Sequence, residues 1–220
     1  MAQHLDLEEQ EQLDQLKHFW KQYGNALTWA LIVVMGAFAA WNFYQYWQRS
    51  QAAQAAALFD EVERAVQVAD AEKMQRVLSE MSSRFGSSVY AQQSALLVAK
   101  QLFALGKTDA ARSALMVVAE KPIDPGYQAM ARLRLAALAL QANQIPEALK
   151  WLEAPFDPAF AALAADRRGD ALALQGQRDA AIAEYQKAYA QLDARSSYRR
   201  WVEIKLNQWG IDPTVASGKS

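Results

Sequence analysis

Apolar positions follow two regimes along this chain. Gln22 to Gln48 contains no charged residue and shows no polar face, with Lys17 and Lys21 before it and Arg49 after it. From Arg49 onward apolar residues recur at helical spacing, broken only by short clusters of Gly, Asn, Asp and Pro, with no strand-like alternation. The first regime predicts one membrane-spanning helix. Its apolar part, Ala26 to Tyr46, runs about 31 Å at 1.5 Å per residue, matching a hydrocarbon core of about 30 Å. Trp20 and Tyr23 at one edge, and Trp41, Phe43, Tyr44, Tyr46 and Trp47 at the other, suit headgroup depth. Ala37-Phe38-Ala39 has the small-x-small form of a signal-peptidase site. An acidic segment precedes the span, however, and the apolar run continues to Trp47, so the helix is expected to stay as an anchor.

The second regime predicts an all-α domain built from repeats. GKTDAARSAL at Gly106 recurs as NQIPEALKWL at Asn143 and as GQRDAAIAEY at Gly176. In each copy a residue tolerant of left-handed backbone ends one helix, and Asp109, Pro146 or Asp179 stands at the start of the next. Ala111, Ala148 and Ala181 follow at one fixed position, and Ala99, Ala136 and Gly169 precede them at another, which lets two antiparallel helices approach closely. Leu115, Leu152 and Tyr185 supply the bulk. These spacings resemble the tetratricopeptide repeat, although its first-helix aromatic and a consistent closing proline are missing and Arg168 replaces an apolar residue.

The repeats extend beyond those three copies. Ala55, Phe59, Val62, Val66 and Ala69 form an apolar stripe, Asp70 and Ala71 suit a turn, and Met74, Val77, Leu78 and Met81 continue the pattern to Gly86. Neither Gly nor Pro occurs between Gly36 and Gly86, so the membrane helix is expected to run on through Arg49 into the first repeat helix. Tyr198, Trp201, Val202, Leu206 and Trp209 mark an amphipathic terminal helix stopped by Gly210, as a solenoid end requires. The expected organisation is a cytosolic tail (1–24), a transmembrane helix (25–48), a repeat domain (49–210) and a disordered tail (211–220).

Composition narrows the chemistry. Of 23 basic and 24 acidic residues only two and five precede the span, so the remainder is nearly neutral and lacks the basic excess that nucleic acid or anionic lipid headgroups select. Without cysteine there is no disulfide framework, lipid-anchored thiol or thiolate nucleophile. Both histidines, His4 and His18, precede the span, which removes imidazole-based triads and histidine-ligated zinc from the repeat domain. Asp166 and Asp170 share a helical face at i and i+4, with Arg167 and Arg168 between them, and fit an arginine-paired surface better than a catalytic pair. No enzyme activity, metal or cofactor is expected.

The chain resembles the ancillary subunits of the bacterial SecYEG translocon. The resemblance lies in LKHFWKQYGNAL (Leu16 to Leu27), the single span, ADRRGDALALQGQRDAAIAEY (Ala165 to Tyr185) and EIKLNQWG (Glu203 to Gly210). It implies a single-pass inner-membrane protein with a cytosolic N-terminus and a periplasmic α-solenoid of degenerate tetratricopeptide-like repeats. It further implies association with SecYEG and with a membrane-anchored periplasmic parvulin-like chaperone, and help in passing unfolded client proteins to periplasmic chaperones. No catalytic residues follow from it. A membrane-anchored adaptor for another envelope complex is the alternative.

Mapping the repeat onto the sequence places Leu96, Lys100 and Phe103, then Met130, Leu133, Ala137 and Leu140, then Asp166 and Asp170 along the concave side, as an apolar protein-binding trough with an acidic end. Met and aromatic side chains suit adaptable contacts; neighbouring helices filling this trough as ordinary core is an equal alternative. Within the membrane, Ala26, Ala30, Gly36, Ala37 and Ala40 offer a small-residue strip for lateral helix packing.

Overall fold

A computed structural model describes residues 7–216; the outermost parts of both predicted tails, 1–6 and 217–220, lie outside the described residues. Among the described residues every regular element is a helix, and the chain divides into two compact units, Met1–Ala53 and Gln54–Ser220.

The first unit is formed by the N-terminal part of α1 (Leu7–Gln67). Among the described residues this is the one helix long and apolar enough to cross a membrane, with a mean hydropathy of 1.7 over its best 18-residue window. Its apolar side chains, Trp29, Phe38 and Trp41 among them, are exposed rather than packed, as a lipid-facing helix requires. Two of its polar residues bond back to the helix itself: Thr28 Oγ1 donates to Gly24 O at 2.8 Å and Asn42 Nδ2 to Phe38 O at 3.0 Å. Back-bonding of this kind satisfies a polar group where water is absent.

The second unit is a succession of helical hairpins. The C-terminal turns of α1 share one core cluster with α2 (Ala71–Phe85); α3 (Val89–Ala104) pairs with α4 (Thr108–Glu120), α5 (Pro125–Gln141) with α6 (Ile145–Glu153), and α7 (Pro158–Leu174) with α8 (Arg178–Gln191). Then come α9 (Ser197–Gln208) and the single turn α10 (Pro213–Ala216). First helices also stack on one another, α3 on α5 and α5 on α7, so the core continues along the solenoid.

One closure recurs at five helix ends. Ala69, Gly106, Asn143, Gly176 and Gly210 have φ between 55° and 78°. In each case the next N–H donates back to a carbonyl five residues earlier, as from Lys107 to Leu102 O, Gln144 to Ala139 O and Gln177 to Leu172 O. The fifth, Ile211 to Leu206 O, shows α9 and α10 to be the start of a further copy. Ile211 packs on the core around Val202 and Leu206, and Pro213 is buried, so order reaches past the point where the sequence pattern ends at Gly210.

The cryptic N-terminal pair is present with a shifted turn. Ala55, Leu58, Val62 and Ala65 are buried against Met74, Val77 and Met81, but Ala69 makes the left-handed residue itself instead of extending the apolar stripe. Asp70 is the N-cap of α2, its Oδ1 accepting from Lys73 N at 2.9 Å. Ser88, Asp124, Asp157 and Ser196 cap α3, α5, α7 and α9 in the same way, with proline at the first turn of α5 and α7. The second helices of the three full repeats, α4, α6 and α8, start differently. Asp109, Pro146 and Asp179 sit inside the first turn, behind Lys107, Gln144 and Gln177, none of which makes a side-chain cap.

Candidate functional site

Small-against-large contacts set the geometry of every repeat. Ala99, Ala136 and Gly169 are buried, as are Ala111, Ala148 and Ala181, and Leu115, Leu152 and Tyr185 fill the space between helices. The third copy differs in a compensated way. A Cβ on residue 169 would lie 2.5 Å from the Tyr185 ring, so the larger side chain on α8 requires the glycine on α7.

The nine predicted trough residues do not form one continuous surface. Leu96 is buried in the first core cluster, because α5 lies across α3 there and Arg134 donates to Leu96 O at 2.8 Å. Met130 packs against the same cluster, and Leu133 and Leu140 against the core formed by α5, α6 and α7. Lys100, Phe103 and Ala137 do come together. With Leu115, Arg134 and Leu138 they line an open groove of about 300 Å³ between α3, α4 and α5. Phe103 is 40% exposed. Burial pulls the Arg134 pKa below its usual value, yet the guanidinium remains cationic.

The acidic end is closed. Asp166 is 0% exposed: its Oδ1 accepts from Lys205 Nζ at 2.8 Å and its Oδ2 from Tyr198 OH at 2.6 Å. Asp170 accepts from Lys205 Nζ at 2.6 Å, Tyr185 OH at 2.9 Å and Arg167 at 3.0 Å. These two carboxylates therefore fasten α9 onto α7 and do not present a free anionic surface. Burial, reinforced by the carboxylates, pushes the phenol pKa of Tyr185 and Tyr198 well above the ordinary tyrosine range.

Two arginines complete the framework, Arg132 with no predicted role and Arg168 away from the aspartates it was expected to pair with. Arg132, buried, donates to the carbonyls of Trp151, Ala154 and Pro155 and stacks over Phe156 at 3.9 Å. Arg168 donates to Leu152 O and to Glu184, which explains a charged residue at an expected apolar position. Together they satisfy the carbonyls at the C-terminus of the short helix α6. Their sequence signal is weak, since an arginine serving distant carbonyls leaves no local spacing.

On α1 the five small residues are all exposed. At about 100° per residue, Ala26, Ala30, Ala37 and Ala40 fall within about 80° of arc, and Gly36 lies about 40° further round. Among the described residues no cluster of His, Cys, Asp and Glu is arranged to hold a metal ion.

The family model described as a tetratricopeptide repeat-like domain matches residues 17–210. The chain is 32% identical to the ancillary SecYEG translocon subunit of Neisseria gonorrhoeae over 208 residues, covering 94% of this chain and 99% of that protein. It is 27% identical to the protein of the same description in Haemophilus influenzae, over 91% of this chain and 97% of the relative. The Escherichia coli protein of that description is 25% identical over 92% of this chain and 97% of its own length.

Proposed function

The chain belongs to the family of ancillary SecYEG translocon subunits, and we propose that it serves the translocon as a non-catalytic, membrane-anchored protein-binding scaffold. In this reading α1 crosses the bacterial inner membrane once, leaving the N-terminus in the cytosol and the repeats in the periplasm. The repeats then receive segments of emerging proteins and pass them to periplasmic chaperones, among them a membrane-anchored parvulin-like partner. The observation that carries the reading is the pairing, in one chain, of an apolar helix with its side chains exposed along the span and a hairpin solenoid that keeps one seam open. The span accounts for anchoring and the solenoid for protein contact.

Topology and association test it together. Protease added to spheroplasts should digest the region after Trp47 and spare the N-terminal segment, and SecYEG should co-purify with the intact chain. A mature N-terminus at Ala40, or protection of the repeats, would refute the proposed orientation.

A further inference from the structure

Equivalent seams between consecutive first helices are closed at one end of the solenoid and open near the other. Lys100, Ala137 and Asp170 occupy the same repeat position, set by the turn residues Gly106, Asn143 and Gly176. Between α7 and α9 the seam is joined by opposite charges, Asp166 and Asp170 against Lys205. Between α3 and α5 the corresponding groove carries Lys100 on one wall and Arg134 on the other, and no acidic residue lines it. Two cations facing one cleft repel and cannot close it. Arg134 spends one N–H on Leu96 O, and Lys100 is exposed and has no ion pair among the described residues. Apart from Gln141 the rest of the lining is apolar, with half-exposed Phe103 and Leu138 beside the buried Leu115.

We propose that the α3–α5 groove binds a partner polypeptide segment in which apolar or aromatic side chains flank an Asp or Glu. The apolar side chain lies against Phe103 and Leu138, and the carboxylate accepts hydrogen bonds from Lys100 and Arg134, supplying in trans the countercharge that Asp170 and Lys205 provide to each other at the closed seam. Charge-assisted hydrogen bonds at the edge of an apolar groove select such a segment over a neutral one of equal size.

This inference rests on the scaffold reading, and its test separates the two. The full chain in detergent micelles is titrated with a fluorescein-labelled, C-terminally amidated peptide alternating Phe and Leu with Asp and Glu, and anisotropy is recorded. The acidic peptide should bind saturably, and its Asn/Gln counterpart about tenfold more weakly. Lys100→Glu, a change on an exposed side chain, should weaken the acidic peptide and strengthen a Lys-containing one; Phe103→Ser should weaken both acidic and neutral peptides. Equal affinity for acidic and neutral peptides, indifference to Lys100→Glu, or binding only by a neutral peptide with a free C-terminal carboxylate would each overturn the proposal. Co-purification with SecYEG, measured on the same preparations, decides the scaffold reading separately: its absence from the unaltered protein sinks that reading, whatever the peptides do.

Discussion

The first and third full repeats share one spacing and end in different states. In the first, α3 and α4 pack through Ala99 and Leu115, and the seam toward α5 stays open beside Lys100, Phe103 and Arg134. In the third, α7 and α8 pack through Gly169 and Tyr185, and the seam toward α9 is sealed by Asp166, Asp170, Tyr198 and Lys205. Tyr185 links both differences, because its ring requires the glycine and its hydroxyl donates to Asp170. The comparison teaches that the repeat spacing specifies hairpin packing, whereas a few polar residues decide whether a seam is interior or surface.

The largest expected contrast lies within the open copy. Leu96→Ala should cost about 2–5 kcal/mol of stability, as a buried leucine does, while Phe103→Ala, about two turns further along α3, should cost well under half as much. Urea unfolding of the full chain, followed by far-UV circular dichroism, measures both. Similar large losses at the two positions would make Phe103 core and close the groove.

At the sealed seam, Lys205→Met should cost about 3 kcal/mol, since it leaves the buried Asp166 carboxylate without its cation. Lys100→Met, an exposed lysine on the wall of the open seam, should be nearly neutral to stability. Gly169→Ala should cost about 1–3 kcal/mol through its clash with Tyr185. Tyr185→Leu placed on top of it recreates the Ala–Leu pair of the other copies, so the two changes together should cost less than their sum in a double-mutant cycle. Strict additivity would show that the glycine is not there for the tyrosine.

The smallest effect is a pH dependence. Above a pH of about 10 the unfolded chain releases the phenol protons of Tyr185 and Tyr198 while the folded chain keeps them, so stability should fall as pH rises through that range. Replacing Tyr198 with Phe should flatten the fall, read as the change in urea midpoint between about pH 9 and about pH 11. An unchanged slope would remove Tyr198 from the network's ionisation.

Gly106, Asn143 and Gly176 made the hairpins legible in the sequence, because a left-handed closure admits few residue types and these recur in register with Ala111, Ala148 and Ala181. Ala69 escaped for the same reason: alanine rarely adopts φ near 55°, so nothing in its type marks the turn. The candidate site was legible only in part. Lys100, Phe103 and Ala137 meet as the repeat mapping expects, but Leu96 is buried by a helix whose approach depends on the whole stack. Asp166 finds its partners Tyr198 and Lys205, and Asp170 its lysine, on a helix more than 30 residues away, and Arg132 serves carbonyls rather than a spaced side chain. Long-range polar pairing of this kind carries no period for a sequence pattern to reveal.

A photoreactive residue placed at Phe103, and separately at the equivalent Ala173, reports directly whether the two seams differ in what they can touch. In membranes with active translocation, the account predicts that position 103 crosslinks to a protein that co-isolates with SecYEG, and that position 173, packed against the sealed third copy, gives little or no such product. Equal crosslinking from both positions, or none from position 103, would contradict it.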